Sequence, residues 1–143
     1  MEKNYHDLYE GKIFMGAAAD VEAMEKNEGI DVIVDLRGEA VECAYPESTA
    51  RWVQIALGDN SPENQHLLFK QAIDEVAEAY RSGKKVAFHC GGGKGRTGTV
   101  AAGTLLVLGL AQDIDDAELK AKQIRSVIDI KPVQKEALIR IFE

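Results

Sequence analysis

The run His89-Cys90-Gly91-Gly92-Gly93-Lys94-Gly95-Arg96-Thr97 joins two apolar segments of different character. Before it, Lys85-Val86-Ala87-Phe88 reads as a buried strand; after it, Val100 to Leu110 reads as a buried helix. The loop therefore runs from the C-terminal end of a strand to the N-terminus of a helix. Backbone N–H groups point outward unpaired there, and the helix dipole is positive. A loop of this kind binds an anion.

Four of the five residues from Gly91 to Gly95 are glycine. That freedom lets the backbone curl and aim successive N–H groups at one point, a nest suited to phosphate oxygens formed by Gly91, Gly92, Gly93, Lys94 and Gly95. Arg96 can close the nest with a planar bidentate fork, and Lys94 adds a second cation. Cys90 lies in the same positive field, which lowers a thiol pKa from about 8.5 toward roughly 3.5–7.5. A thiolate at neutral pH is a strong nucleophile, so the chemistry suggested is attack on phosphorus to give a phosphocysteine that water hydrolyses. A nucleotide-binding P-loop would need Gly-Lys followed by Ser or Thr, whereas Gly95 follows Lys94. Gly93-Lys94-Gly95-Arg96-Thr97-Gly98 fits the dinucleotide pattern G-x-G-x-x-G, but in so glycine-rich a segment the fit is cheap. The acidic residue that pattern requires would fall near Glu118, in a helical run.

His-Cys-x5-Arg-Thr resembles the loop of the cysteine-dependent phosphatases, the protein tyrosine and dual-specificity enzymes, with His89, Cys90, Gly93, Arg96 and Thr97 in matching positions. The resemblance implies that Cys90 is the nucleophile and Arg96 the phosphate clamp. It implies that the Thr97 hydroxyl stabilises the cysteine as a leaving group, and that His89 orders the loop and helps hold Cys90 ionised. The order of elements is similar to the compact dual-specificity type over nearly the whole chain.

A phosphoryl leaving group needs a proton, and in the family it comes from an Asp on a separate loop, roughly thirty residues before the cysteine in the small members. Asp59 stands 31 positions before Cys90 (90 − 59), in Gly58-Asp59-Asn60-Ser61-Pro62, just after the strand-like Trp52 to Leu57. It is the candidate acid. Ser61 is the better cap for a helix starting near Pro62. Asp35, in Val32-Ile33-Val34-Asp35-Leu36-Arg37, ranks second, because Arg37 suggests an ion pair or a structural hydrogen bond. Gln134, at the start of the last helix, resembles the family's water-positioning glutamine. The competing reading makes it a solvated helix residue.

At 143 residues the chain is expected to be one domain, residues 1–143, large enough for one core. With 45% apolar and 29% charged residues it has the composition of a soluble globular protein. No apolar run reaches a membrane span, and no apolar signal segment opens the chain; a cytoplasmic protein without stable membrane association is expected. A net charge of −7 argues against nucleic acid as a partner. The expected partner is a phosphorylated protein or a small phosphate ester, and the protein is expected to act as a monomer. Two cysteines make no disulfide framework. Cys43 is either an inert buried thiol or the partner of Cys90 in a reversible, protective disulfide. No metal-ligand cluster is visible, and the chemistry calls for no cofactor.

The remaining pattern alternates strands with helices. Strands are expected at Lys12–Met15, Asp31–Leu36, within Ala50–Leu57 and at Lys84–His89. Helices are expected at Ala17–Asn27, Pro62–Ser82, Gly98–Leu110, Asp115–Val127 and Pro132–Phe142, with Leu67, Leu68, Ala72, Val76 and Ala79 on the buried face of the longest. Arg37 to Thr49 is irregular and borders the site. The fold class is α/β, three-layered, with a mainly parallel sheet of about four to five strands between helices. Ligands in such sheets bind at the carboxyl ends of the strands, where Cys90 and Asp59 both fall.

The larger tyrosine-specific members deepen their pocket with an added aromatic segment that has no clear counterpart here, so the resemblance implies dual specificity. Lys94-Gly95-Arg96-Thr97-Gly98 also resembles the tensin-related lipid phosphatases, which makes inositol phosphates or phosphoinositides the alternative substrates. Those enzymes carry a second lysine where this chain has Gly91. Val34-Asp35-Leu36-Arg37-Gly38-Glu39 resembles a rhodanese segment, so sulfur transfer is the alternative of another class. A catalytically dead phosphate-binding module would lack Cys90 or Arg96, and both are present.

Overall fold

The apolar run ahead of the glycine loop becomes the middle strand of a five-stranded sheet. In the computed structural model, which describes residues 4–58 and 65–143, the strands are β1 (His6–Tyr9), β2 (Ile13–Ala17), β3 (Val32–Asp35), β4 (Arg51–Gln54) and β5 (Val86–Cys90). Their spatial order is β1-β2-β5-β3-β4. β5 pairs in parallel with β2 and β3, β3 pairs in parallel with β4, and only β1 and β2 are antiparallel. Every residue of β5 is buried, as a strand covered on both faces must be.

The helices are α1 (Val21–Glu28), α2 (His66–Arg81), α3 (Gly95–Val107), α4 (Ile114–Ile124) and α5 (Pro132–Phe142). Alternation along the strands splits the core in two. Val32, Val34, Phe88 and Cys90 face a cluster built with Phe69, Ile73, Val100 and Leu138 from α2, α3 and α5. Phe14, Ile33 and Ala87 face the opposite cluster, with Val21 and Met24 of α1 and the half-buried Cys43 and Trp52 against it. The arrangement is the three-layer α/β fold that the sequence predicts.

Local chemistry accounts for the helix ends. Asp113 caps α4 by accepting the Asp116 N–H at 2.8 Å. Pro132 opens α5, where the missing proline N–H costs nothing. Several details differ from the sequence reading, among them the end of α4, at Ile124 rather than Val127 because Arg125 is extended. β1 was not expected, because four residues of mixed polarity carry little signal and the strand is recruited by pairing with β2. A 3₁₀ turn, Ala18–Asp20, precedes α1, where one continuous helix was expected. Leu67 is 69% exposed: it stands about 200° around α2 from Phe69, whose face (Phe69, Ala72, Ile73, Val76) is buried. α3 begins at Gly95 rather than Gly98, drawing Gly95, Arg96 and Thr97 into the helix. Gly98 is there for contact, since a Cβ on it would stand 2.6 Å from Ile128 Cγ2.

Candidate active site

The glycine loop is a bowl whose carbonyls are turned outward and held there. The Cys90 carbonyl accepts from His89 Nδ1 at 3.0 Å. The Gly91 carbonyl accepts from the Ala18 N–H at 3.1 Å, and the Lys94 carbonyl from the Asp129 and Gly98 N–H groups, both at 3.2 Å. The Gly93 carbonyl accepts from Arg125 Nε at 2.8 Å. No peptide bond in the described residues is cis. In a trans peptide the C=O and the following N–H point in opposite directions. Pinning these four carbonyls therefore turns the N–H groups of Gly91, Gly92, Lys94 and Gly95 into the bowl. Those unpaired donors, together with the N-terminus of α3, are what a phosphate oxygen requires.

Cys90 ends β5 at the base of the bowl and is 2% exposed. The Thr97 hydroxyl, in the first turn of α3, donates to Cys90 Sγ at 3.0 Å. Arg96 is buried at the same helix start. Its Nη1 donates to the carbonyls of Leu36 (3.3 Å) and Leu57 (2.9 Å), tying the guanidinium to the segments that leave β3 and β4. Glu39 takes the Nη1–Nη2 edge in a fork, at 2.8 and 3.1 Å. The hydrogen bonds from Arg96 hold the Glu39 carboxyl below the usual glutamate range, against an opposing effect of burial. Glu39 lies in the irregular segment expected to border the site, but sequence reasoning missed it because only the folded loop brings it to Arg96.

Register places the support beneath the bowl. Asp35 on β3 pairs with His89 on β5, so both side chains leave the same face of the sheet. A carbonyl only accepts, so the contact with Cys90 O puts the proton of His89 on Nδ1. Its Nε2 stands 3.7 Å from Asp35 Oδ1 and has no hydrogen-bond partner among the described residues. Burial pulls the His89 pKa down, with Asp35 opposing, which favours this neutral tautomer. Asp35 is wholly buried and accepts from the Arg37 backbone N–H, Nε and Nη2 and from Trp52 Nε1, all between 2.9 and 3.0 Å. Burial pushes its pKa up, but Arg37, His89 and Trp52 outweigh that and leave it below the usual aspartate range. This carboxylate is a structural anion with no access to a leaving group.

Lys94 lies exposed on the rim of the bowl. Gln134 is buried rather than solvated, and its Oε1 accepts the Lys131 N–H at 2.9 Å as a capping residue of α5. Asp59 lies outside the described residues; Leu57, two positions before it, is the residue whose carbonyl holds Arg96. Cys43 is a free thiol packed on the α1 face of the sheet, whereas Cys90 belongs to the opposite core cluster. Among the described residues no group of three or more His, Cys, Asp or Glu is placed to hold a metal ion, and no helix is long and apolar enough to cross a membrane. Arg125, the second guanidinium at the loop, was also missed. Nothing in its sequence neighbourhood distinguishes it from a surface arginine.

The family model described as "Swiss Army Knife protein, DSP-PTPase phosphatase domain" matches residues 17–135. No curated protein matches the sequence. Solved structures do match the fold. Human DUSP28 superposes with a TM-score of 0.80 at 17% identity, covering 98% of this chain and 93% of its own. The human tyrosine phosphatase-like serine/threonine/tyrosine-interacting protein gives 0.79 at 17%, covering 98% and 96%. Tk-PTP in the active form gives 0.79 at 19%, covering 99% and 97%.

Proposed function

Because the chain belongs to the family of Swiss Army Knife DSP-PTPase phosphatase domains, a cysteine-dependent hydrolase, we propose that it dephosphorylates protein phosphotyrosine together with phosphoserine and phosphothreonine, as a single-domain enzyme. Sulfur transfer and the hydrolysis of inositol phosphates or phosphoinositides are the less favoured readings. The observation that carries the mechanism is the Cys90 thiol at the base of a bowl whose pinned carbonyls aim four N–H groups inward.

Cys90 attacks phosphorus while the bowl and Arg96 hold the three equatorial oxygens. The sulfur–phosphorus bond forms as the ester bond breaks, and Asp59 gives its proton to the departing oxygen. Its role is supported by its distance in sequence from Cys90 and by the tie between Arg96 and Leu57, two positions before it in sequence. Water then attacks phosphorus, Asp59 takes the water proton, and Cys90 leaves as a thiolate that accepts from Thr97. Gln134 is the candidate to orient that water. The reading is supported by its place at the start of α5, while its side-chain oxygen already serves the helix cap.

The test is hydrolysis of p-nitrophenyl phosphate with EDTA present, comparing wild type with Cys90→Ser, followed by a panel of phosphopeptides and inositol phosphates. Turnover by the wild type alone supports the reading. Equal activity in both proteins, or none in a wild type whose thiol is reduced, overturns it. A preference for inositol phosphates over every phosphopeptide overturns the substrate assignment alone.

A further inference from the structure

Arg125 closes α4 and is 4% exposed, yet among the described residues all its hydrogen bonds go to neutral acceptors: Gly93 O, Asn4 O and His6 Nδ1. Burial and the Arg125 charge lower the pKa of the half-buried His6, with Asp20 opposing, which favours its neutral form. A buried guanidinium without a carboxylate against it is costly, since ion pairing is the usual compensation. Among the described residues, the acidic side chains whose fields reach it are those of Asp20 and Cys90. Such a residue calls for an account in terms of the loop it touches.

Nε donates to the Gly93 carbonyl at 2.8 Å, on the outer side of the bowl. Gly93 has φ +70°, a conformation in which only glycine sits without strain. A Cβ there would also stand 2.5 Å from Arg125 Nη2 and 2.8 Å from the Gly16 carbonyl. The glycine and the arginine are thus fitted to each other. Among the described residues, the Gly93–Lys94 peptide is the one loop peptide whose carbonyl is held by a side chain from outside the loop and its flanking strands. If it rotated, a carbonyl oxygen would face the bound phosphate in place of the Lys94 N–H.

We propose that Arg125 is a positioning residue for oxyanion binding: by holding the Gly93 carbonyl outward, it keeps the Lys94 N–H aimed into the bowl. The inference rests on the phosphatase reading and adds to it a part that neither the sequence nor the family match assigns. It predicts that Arg125 acts on phosphate affinity more than on turnover. Arg125→Met keeps the length of the side chain and removes every donor. Arg125→Lys keeps the charge and withdraws the Nε–H from Gly93.

The experiment measures, for wild type and both variants, inhibition by inorganic phosphate, KM and kcat for p-nitrophenyl phosphate, and the backbone amide resonance of Lys94 during a phosphate titration. In both variants the phosphate inhibition constant and KM rise together by about 10- to 150-fold, the range for a lost hydrogen bond to a charged group. kcat falls less, and the Lys94 resonance loses its phosphate-induced shift. A folded variant of either kind with wild-type phosphate affinity and a normal Lys94 shift overturns the proposal, whatever its thermal stability. If Arg125→Met does not fold, Arg125→Lys alone decides. A wild type that neither hydrolyses p-nitrophenyl phosphate nor binds phosphate overturns the phosphatase reading itself. A wild type that does both, beside variants of unchanged phosphate affinity, overturns only the role of Arg125.

Discussion

Replacing Thr97 by valine should separate the two halves of the reaction. The side chain is wholly buried, so a group of similar shape keeps the packing, and the change reduces to the loss of one hydroxyl. That hydroxyl donates to Cys90 Sγ at 3.0 Å and lies only 3.5 Å from the Gly16 carbonyl, so the sulfur is its main partner. In the first half-reaction the sulfur spends its charge on phosphorus, and donation to it weakens on the way to the transition state. In the second half the sulfur regains its charge as the leaving group, and donation strengthens. A hydrogen bond to a charged acceptor contributes about 1.5–3 kcal/mol. At 1.36 kcal/mol per tenfold in rate, hydrolysis of the phosphocysteine slows by about 10- to 150-fold. Rapid mixing with p-nitrophenyl phosphate reads this directly. Thr97→Val should release close to one equivalent of p-nitrophenolate per enzyme in a burst, then turn over slowly, with a phosphoryl adduct on Cys90 visible by mass spectrometry. Thr97→Ser should restore turnover. A folded Thr97→Val enzyme with no burst and an unchanged kcat would refute the reasoning, as would a Thr97→Ser enzyme indistinguishable from the valine variant.

Glu39→Gln removes the charge that holds the outer edge of Arg96. Because the Glu39 side chain is 61% exposed, the pair is worth at most about 1 kcal/mol, and kcat/KM should fall by about fivefold; a rise would mean that Glu39 competes with substrate for the guanidinium. Asp35 and His89 both have folded pKa values lowered from their ordinary 3.8 and 6.5. Each therefore contributes stability that is present above its ordinary value and lost as pH falls through the lowered one. Denaturant titrations should show stability declining as pH drops below about 6.5 and again below about 3.8, with the first step reduced in His89→Asn and its remainder owed to His6, whose pKa is lowered in the same way; an unchanged first step would mean that His89 contributes nothing to it. A Cβ on Gly103 would stand 2.1 Å from Ile73 Cδ1, where α3 crosses α2. Gly103→Ala should cost about 1–3 kcal/mol by overpacking. Ile73→Val deletes the clashing methyl, so the double mutant should be more stable than the sum of the single changes; simple additivity in urea melts would count against the close crossing.

Much of the fold can be read along the chain because its signals are local. Val86-Ala87-Phe88 has the continuous burial of a central strand, Pro132 marks the start of α5, and the run from Phe69 to Ala79 follows the 3.6-residue period of one buried face. β1 carries no comparable signal, since its four residues become a strand only by pairing with β2. The start of α3 was misplaced because glycines that favour a loop in isolation are held helical by packing, Gly98 against Ile128.

The sequence by itself determined the chemistry: a cysteine, an arginine and a threonine at fixed spacing around glycines, on one short strand-to-helix turn. Covalent connection alone brings those residues within a few ångströms, so their pattern survives without knowledge of the rest. Only the tertiary structure decided how the bowl is held. His89 meets Asp35 through strand register, Arg96 meets Glu39 across 57 residues of chain, and Arg125 reaches Gly93 across 32. Contacts between residues so distant in sequence depend on the close packing of the whole sheet and its helices, which leaves no periodic trace along the chain.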